Sequence, residues 1–211
     1  MNQSIYIFDF DGTLVDSMPT WAGVHIRLLE EHNIPYPEDI VKIITPLGNA
    51  GAAAYCVSLG LPMTVEEVLA HNHEIFLREY SQNIPAKDKV IPVLKQLKAQ
   101  GCSLNVLTAS PHRYVDPCLK RLGILELFDN NWSIDDFGHS KSETIIYEMA
   151  AERLGVTVKD CVFLDDNFIA LETVKKSGMI AVGVYDESSE ALTEEIQAVA
   201  DRYIYNFEEL L

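Results

Sequence analysis

Basic residues are scarce in this sequence. Of its 211 residues only 16 are Lys or Arg, against 32 Asp or Glu, so the formal net charge is −16. Binding to nucleic acid or to an anionic membrane surface requires a basic face. The composition therefore argues against both functions, and we expect neither nucleic acid nor membrane among the partners.

Long apolar runs and paired cysteines are also missing. No run approaches the roughly 18 apolar residues of a membrane span, and no basic segment precedes an apolar one at the N-terminus, so we expect no signal peptide. The four cysteines, Cys56, Cys102, Cys118 and Cys161, lie far apart, without the spacings typical of zinc or redox sites. Buried thiols in a reducing compartment are the simplest interpretation, and we expect a cytoplasmic protein.

Short apolar runs that alternate with helical patterns are present throughout most of the chain. Helical segments such as "KVIPVLKQLKAQG" end on glycine, a common helix stop. This alternation predicts an α/β domain with a mostly parallel sheet and helices on both faces. The predicted strands are residues 4–8, 103–107, 132–134, 161–164, 180–184 and 203–205.

Residues 17–86 interrupt that alternation. They contain no convincing strand and read as about four helices, separated by Pro, Gly and Asn. We interpret them as a helical insertion after the first strand, with 1–16 and 87–211 forming the α/β domain. Within the insertion, "PLGNAGAAA" predicts a tight turn into a helix.

The stretch "IYIFDFDGTLVDS" takes a hydrophobic strand directly into two acids, Asp9 and Asp11. Residues two apart in a strand point the same way, so both carboxylates can face one site. That site would lie at the carboxyl edge of the sheet, where open α/β sheets bind ligands. Other polar residues follow later strands or precede a helix, and we expect them at the same edge: Thr108, Ser110, Lys141, Asp165 and Asp166.

This set of motifs resembles the haloacid dehalogenase superfamily in its phosphatase branch. "DFDGTLVDS" is similar to the family's first motif, "VLTAS" to its second, Lys141 to its third and "FLDDN" to its fourth. The insertion resembles the cap of the subfamily that includes β-phosphoglucomutase and phosphoglycolate phosphatase. The resemblance implies a Rossmann-like three-layer core with an inserted α-helical cap, and it covers essentially the whole chain.

The resemblance also implies a role for each motif residue. Asp9 would be the nucleophile that forms an aspartyl-phosphate, and Asp11 the general acid and base. Thr108, Ala109, Ser110 and Lys141 would hold the phosphate, with Lys141 as a fixed countercharge. Mg²⁺ would be held by Asp9, the Asp11 carbonyl, Asp166 and Asp165. Charge counting supports a hard divalent ion, since several acids and a phosphate ester face a single lysine.

The sequence predicts the structure and role of two regions less closely. The family commonly has prolines after the third-motif lysine, whereas this chain has Ser142 and Thr144, so we expect a less rigid loop there. In the insertion, Trp21 is either a core aromatic or a substrate contact. Gly48 and Asn49 are candidates to contact the leaving group.

The function predicted from these residues is Mg²⁺-dependent hydrolysis of a small phosphomonoester, so the expected partner is a small phosphorylated metabolite. A carbon–halogen hydrolase would not need an acid at Asp11.

The alternatives are a β-phosphoglucomutase-like sugar phosphate mutase and a phospho-acceptor signalling domain without turnover. A mutase needs a second phosphate site, yet residues 16–86 carry only Arg27, Lys42 and Arg78 against nine acids. Monomer and dimer remain alternatives.

Overall fold

The chain forms two compact units in the computed structural model, which describes residues 5–211. One unit joins the N-terminal segment up to Asp16 to Pro85–Leu211, and the other is Ser17–Ile84. Pro85 and Ala86, which the sequence pattern assigns to the insertion, belong to the first unit. The Asp16 N–H donates to the Pro85 carbonyl over 3.0 Å, and Val15 pairs with Ala86 in an antiparallel bridge.

The first unit is built on a six-stranded sheet in the order β3-β2-β1-β4-β5-β6, with every neighbouring pair parallel. All six strands predicted from the sequence are present, with small shifts at their ends. Ser4, which the prediction included in the first strand, lies outside the described residues. The strands are β1 (Ile5–Phe8), β2 (Ser103–Thr108), β3 (Asn130–Ser133), β4 (Cys161–Asp165), β5 (Ile180–Val184) and β6 (Arg202–Ile204).

The second unit is helical, as the sequence predicted. Its helices are α1 (Met18–Glu31), α2 (Ile40–Ile44), α3 (Gly48–Ser58) and α4 (Val65–Gln82). The predicted turn in "PLGNAGAAA" is a short 3₁₀ turn, Thr45–Leu47, that leads directly into α3. The unit has its own apolar core, which includes Leu29, Ile44, Cys56 and Val68.

Five further helices belong to the first unit: α5 (Val90–Ala99), α6 (His112–Arg121), α7 (Thr144–Arg153), α8 (Phe168–Ser177) and α9 (Thr193–Val199). Side chains of β1 alternate between the two faces of the sheet. Ile7 joins the cluster formed with α7 and α8, whereas Phe8 stacks on Phe207 at 6.2 Å. Because both faces are covered, β1 and β4 are apolar without interruption until their carboxyl ends. The α/β fold class is therefore confirmed.

Within residues 5–211, no helix has both the length and the apolar character that crossing a membrane requires.

Candidate active site

Three buried carboxylates meet at the carboxyl edge of the sheet. Asp9 follows β1 and Asp165 ends β4, and these strands are neighbours, with the Asp9 N–H donating to the Leu164 carbonyl over 2.8 Å. Asp166 comes next in the chain. One carboxylate oxygen from each acid lies within 4.8 Å of the others, and none of the three residues is more than 7% exposed. Parallel pairing thus brings together acids that are 156 and 157 positions apart in the sequence.

Lys141 connects two of these acids. Its Nζ donates to Asp9 Oδ1 over 2.6 Å and to Asp165 Oδ2 over 2.8 Å, and its side chain is largely buried. The loop that carries it lacks the family's prolines but is held by hydrogen bonds. The Tyr147 hydroxyl donates to the Lys141 carbonyl over 2.7 Å, and the Ser140 N–H donates to Glu143 Oε2 over 2.8 Å.

The burial of these charges changes their proton affinities. Burial raises the pKa of Asp9 to about 7, and the charges of Asp165 and Asp11 add to this effect while Lys141 opposes it. Burial, together with Asp165 and Asp9, raises the pKa of Asp166 well above its usual range. For Lys141, burial lowers the pKa, but the charges of Asp165 and Asp9 outweigh it and the pKa lies well above its usual value. Lys141 is therefore a permanent cation, and it compensates only part of the negative charge that these acids carry when ionised.

Asp11 lies beside the residues that follow β2. The Ser110 hydroxyl donates to Asp11 Oδ2 over 2.5 Å, and the Ser110 N–H donates to Thr108 Oγ1 over 3.1 Å. Thr108 and Ser110 are buried, whereas Ala109 between them is exposed. The structure thus joins the first and second motifs through one hydroxyl group.

Gly12 lies against Asp166 in a turn that only glycine adopts easily. Its φ is +75°, and a Cβ at this position would lie 2.7 Å from Asp166 Oδ2. Asp166 is also held by Thr13, whose hydroxyl donates to Asp166 Oδ1 over 3.2 Å. The glycine therefore permits both the turn after Asp11 and the close approach of the Asp166 carboxylate.

We expect Gly12→Ala to destabilise the protein and to displace Asp166. The left-handed backbone costs about 1–2 kcal/mol for a non-glycine residue, and the overlap with the Asp166 carboxylate adds about 1–3 kcal/mol. Urea unfolding of the variant measures the total.

Gly101→Ala is the matched control, because Gly101 has φ +84° and open space where a Cβ would be. It carries only the backbone cost, about 1–2 kcal/mol. Equal losses in the two variants would show that the contact between Gly12 and Asp166 contributes nothing.

The donor set suits a hard divalent cation. The three carboxylates offer oxygen only, and when all three are ionised their negative charge exceeds the single positive charge of Lys141. Mg²⁺ favours such a site, with a few carboxylates and room for water and phosphate. One oxygen of Asp9 accepts a hydrogen bond from Lys141, and one oxygen of Asp166 accepts a hydrogen bond from Thr13. Both oxygens of Asp165 accept hydrogen bonds, one from Lys141 and the other from the Asn167 N–H, each over 2.8 Å.

Three residues near the acids were not identified from the sequence. Asp186 follows β5 and is 5% exposed, so the strand-end pattern that indicated Asp165 could also have indicated it. Tyr147 lies in an apolar stretch of α7, and its bond to the Lys141 loop carries no sequence signal. Lys87 donates to the Gly12 carbonyl from a segment 75 positions away, which no local pattern reveals.

The three substrate candidates lie in the helical unit. The Trp21 ring packs on Phe76 with centroids 4.1 Å apart, and its Nε1 donates to the Tyr80 hydroxyl over 2.7 Å. The polar atom of Trp21 is therefore used within this unit, as expected of a core aromatic. Gly48 is exposed at the start of α3 with φ +65°, and Asn49 is partly buried beside it.

Comparisons with known proteins agree with this geometry. The family profile of haloacid dehalogenase-like hydrolases matches residues 4–178. Validoxylamine A 7'-phosphate phosphatase from Streptomyces hygroscopicus subsp. limoneus is 27% identical over 90% of each chain. Phosphoglycolate phosphatase from Psychrobacter arcticus is 26% identical over 87% of this chain and 84% of its own.

A solved structure from Thermotoga maritima, which carries a proposed assignment as β-phosphoglucomutase, is 26% identical with a TM-score of 0.80. The match covers 99% of this chain and 96% of the Thermotoga maritima chain. The family match extends over most of the chain and includes the segments that carry Asp9, Lys141 and Asp166. This chain belongs to the haloacid dehalogenase-like hydrolase family.

Proposed function

We propose that this enzyme is a Mg²⁺-dependent phosphatase that hydrolyses a small phosphomonoester through an aspartyl-phosphate on Asp9. The observation that carries the proposal is the bridge from Lys141 to Asp9 and Asp165 inside a buried cluster of three acids. A cluster that combines excess carboxylate with one fixed cation suits a metal ion together with a phosphate group. The phosphatase names of the relatives support the same reaction.

In the first step, a carboxylate oxygen of Asp9 attacks phosphorus, and the bond from phosphorus to the ester oxygen breaks. Lys141 favours the ionised form of Asp9 that this attack requires. Asp11 gives its proton to the departing oxygen, so the leaving group departs as a neutral alcohol. The hydroxyl of Ser110, 2.5 Å from Asp11 Oδ2, fixes the orientation of the Asp11 carboxyl.

In the second step, Asp11 is the base. It takes a proton from a water molecule that attacks the phosphorus of the aspartyl-phosphate, and the bond between phosphorus and Asp9 breaks. Inorganic phosphate leaves, and both aspartates return to their starting states. One carboxyl group thus serves first as acid and then as base, as microscopic reversibility allows.

The negative charge on the phosphate oxygens must be compensated in both steps. We assign this task to Lys141, the Thr108 hydroxyl and the backbone at Ala109 and Ser110. A Mg²⁺ ion held by Asp9, the Asp11 carbonyl, Asp166 and Asp165 would supply further stabilisation of charge on the phosphoryl group. Since both oxygens of Asp165 already accept hydrogen bonds, its main task in this arrangement is to hold Lys141.

A small substrate with one phosphate is favoured over the bisphosphate cycle of a mutase. The helical unit has only three Lys or Arg residues, Arg27, Lys42 and Arg78, and all three are exposed. Arg78 contacts the neighbouring Glu79, with Nε 3.3 Å from Oε1. A second phosphate site requires convergent cations or free amides, and these side chains provide no such cluster.

We expect repeated release of inorganic phosphate from monophosphates. With β-glucose 1-phosphate and catalytic bisphosphate, free phosphate should exceed glucose 6-phosphate, because water and not a sugar hydroxyl accepts the phosphoryl group. Coupled assays for both products measure the ratio, with the Asp9→Asn protein as the background control.

Two outcomes would contradict this assignment. Isomerisation faster than phosphate release would identify a mutase. Labelling of Asp9 that stops after one equivalent would identify a phospho-acceptor domain. A panel of small phosphorylated metabolites then identifies the physiological substrate.

A further inference from the structure

Lys87 joins two loops beside the acid cluster. Its Nζ donates to the Gly12 carbonyl over 2.6 Å, to the Tyr185 carbonyl over 2.6 Å and to Asp186 Oδ2 over 2.8 Å. An ammonium group has three N–H donors, so these bonds use all of them. Only 17% of the side chain is exposed. Lys87 is therefore a cross-link within the protein, between the turn after β1 and the loop after β5.

The turn that Lys87 holds is the one on which Asp11 and Asp166 depend. The Gly12 N–H donates to the Val15 carbonyl over 3.0 Å, and the N–H of Lys87 itself donates to the Leu14 carbonyl over 3.0 Å. The Gly12 residue is thus fixed at its N–H and at its carbonyl. Because Asp166 lies directly against Gly12, movement of this turn would change the separation of Asp11 and Asp166.

Lys87 also neutralises a buried acid. Asp186 is 5% exposed, and its Oδ1 accepts hydrogen bonds from the Ser188 N–H over 3.0 Å and the Ser188 hydroxyl over 2.6 Å. Without Lys87, Asp186 would become a buried charge without a cation, next to a cluster that already has excess negative charge. The lysine therefore provides both a geometric restraint and a local countercharge.

We propose that Lys87 is a positioning residue for the metal-binding acids. By holding the Gly12 turn and neutralising Asp186, it keeps Asp11 and Asp166 at the separation that Mg²⁺ binding requires. This inference rests on the proposed function, since that function assigns these acids to the metal. Its alternative is a lysine that stabilises the fold and leaves the site unaffected.

The test compares Lys87→Met with Lys89→Met. Lys89 is exposed, and its only ion pair among the described residues is with Glu208 at 3.5 Å, so its replacement is the matched control. Loss of a residue that supports metal ligands typically weakens metal affinity by about 10–100-fold. We expect a change of that size in the Mg²⁺ Kd of Lys87→Met by calorimetry, with a lower kcat and little change in KM for p-nitrophenyl phosphate. Lys89→Met should match the wild type.

A second variant separates the two tasks of Lys87. In Lys87→Met/Asp186→Asn the buried charge is absent but the Gly12 carbonyl still lacks its donor. We expect its melting temperature to recover while its Mg²⁺ Kd stays weaker than that of the wild type. A purely structural lysine would lower the melting temperature of Lys87→Met and leave the Mg²⁺ Kd and kcat of both variants unchanged, which would overturn the inference.

The calorimetric readout distinguishes this inference from the proposed function. A wild-type protein that binds Mg²⁺ but hydrolyses no phosphomonoester would contradict the phosphatase assignment, and the Kd values would still decide the role of Lys87. A wild-type protein that binds no Mg²⁺ would overturn both.

Discussion

Asp9→Asn should lower phosphatase turnover by at least about 1000-fold, since loss of a nucleophile removes the covalent route and leaves only binding contributions. The amide of Asn has the shape of the carboxylate but does not attack phosphorus. Initial rates with p-nitrophenyl phosphate, followed by trapping of phosphorylated protein, measure this loss. The wild type should show an acid-quenched phosphoprotein, and the variant should not.

The fold should survive this substitution. Lys141 keeps its second partner, Asp165, 2.8 Å away, so no buried cation is left without a counterion. Burial raises the pKa of the Asp9 carboxyl, which means that its ionised form is unfavourable in this cluster. Asn at this position removes that negative charge. The melting temperature without Mg²⁺ should therefore not fall below that of the wild type.

Asp88→Asn is a suitable control, because Asp88 is an exposed acid of the same unit. It should retain full activity. Turnover above a few per cent in Asp9→Asn, with Asp88→Asn unchanged, would show that another group attacks phosphorus.

The sequence predicted those parts of the fold and the acid cluster that depend on local patterns. The apolar runs of β1 and β4 predict buried neighbouring strands, and parallel pairing then places Asp9 and Asp165 side by side. Asp11 and Ser110 follow from the same strand-end rule, although the bond between them was not anticipated. The family and the α/β class are confirmed, while the catalytic roles of these residues stay predictions.

Long-range side-chain contacts could not be predicted in this way. Lys87 reaches Gly12 and Asp186 from a segment that forms no strand, and nothing in "PAKDKV" distinguishes it from an exposed lysine. Trp21 shows the opposite case, since an aromatic at the start of α1 fits core and ligand contact equally well. Only its contacts with Phe76 and Tyr80 show how its ring and N–H are used.

Removal of Mg²⁺ by a chelator should abolish turnover. The phosphate ester adds close to two negative charges near neutral pH. The combined negative charge of ionised Asp9, Asp165 and Asp166 already exceeds the single positive charge of Lys141. If the metal supplies about 4 kcal/mol of charge stabilisation, its loss costs about 1000-fold in rate. Activity assays with EDTA, then with added Mg²⁺, measure the loss and its recovery.

The same acids should make stabilisation by Mg²⁺ at the proposed site depend on pH. The pKa of the Asp9 carboxyl rises from its ordinary value of 3.8, which describes the unfolded chain, to about 7 in the folded protein without metal. Between these values the folded state binds more protons than the unfolded state, so stability without Mg²⁺ falls as pH rises through the folded pKa. Asp166, whose pKa burial also raises, adds to this trend. Mg²⁺ bound at the proposed site would pair with the ionised carboxylates and offset their repulsion.

We therefore expect Mg²⁺ to raise the melting temperature little at about pH 5 and much more at about pH 8, because protons compete with the metal at the lower pH. Scanning calorimetry with Mg²⁺ and with EDTA at each pH measures the difference. Asp166→Asn should lose the Mg²⁺-dependent increment without a lower melting temperature in EDTA, whereas Asp88→Asn should keep it. Identical melting temperatures with Mg²⁺ and EDTA at both pH values, together with turnover that persists in EDTA, would contradict the metal site, because the buried acids would then be neutralised by their own protons and by Lys141.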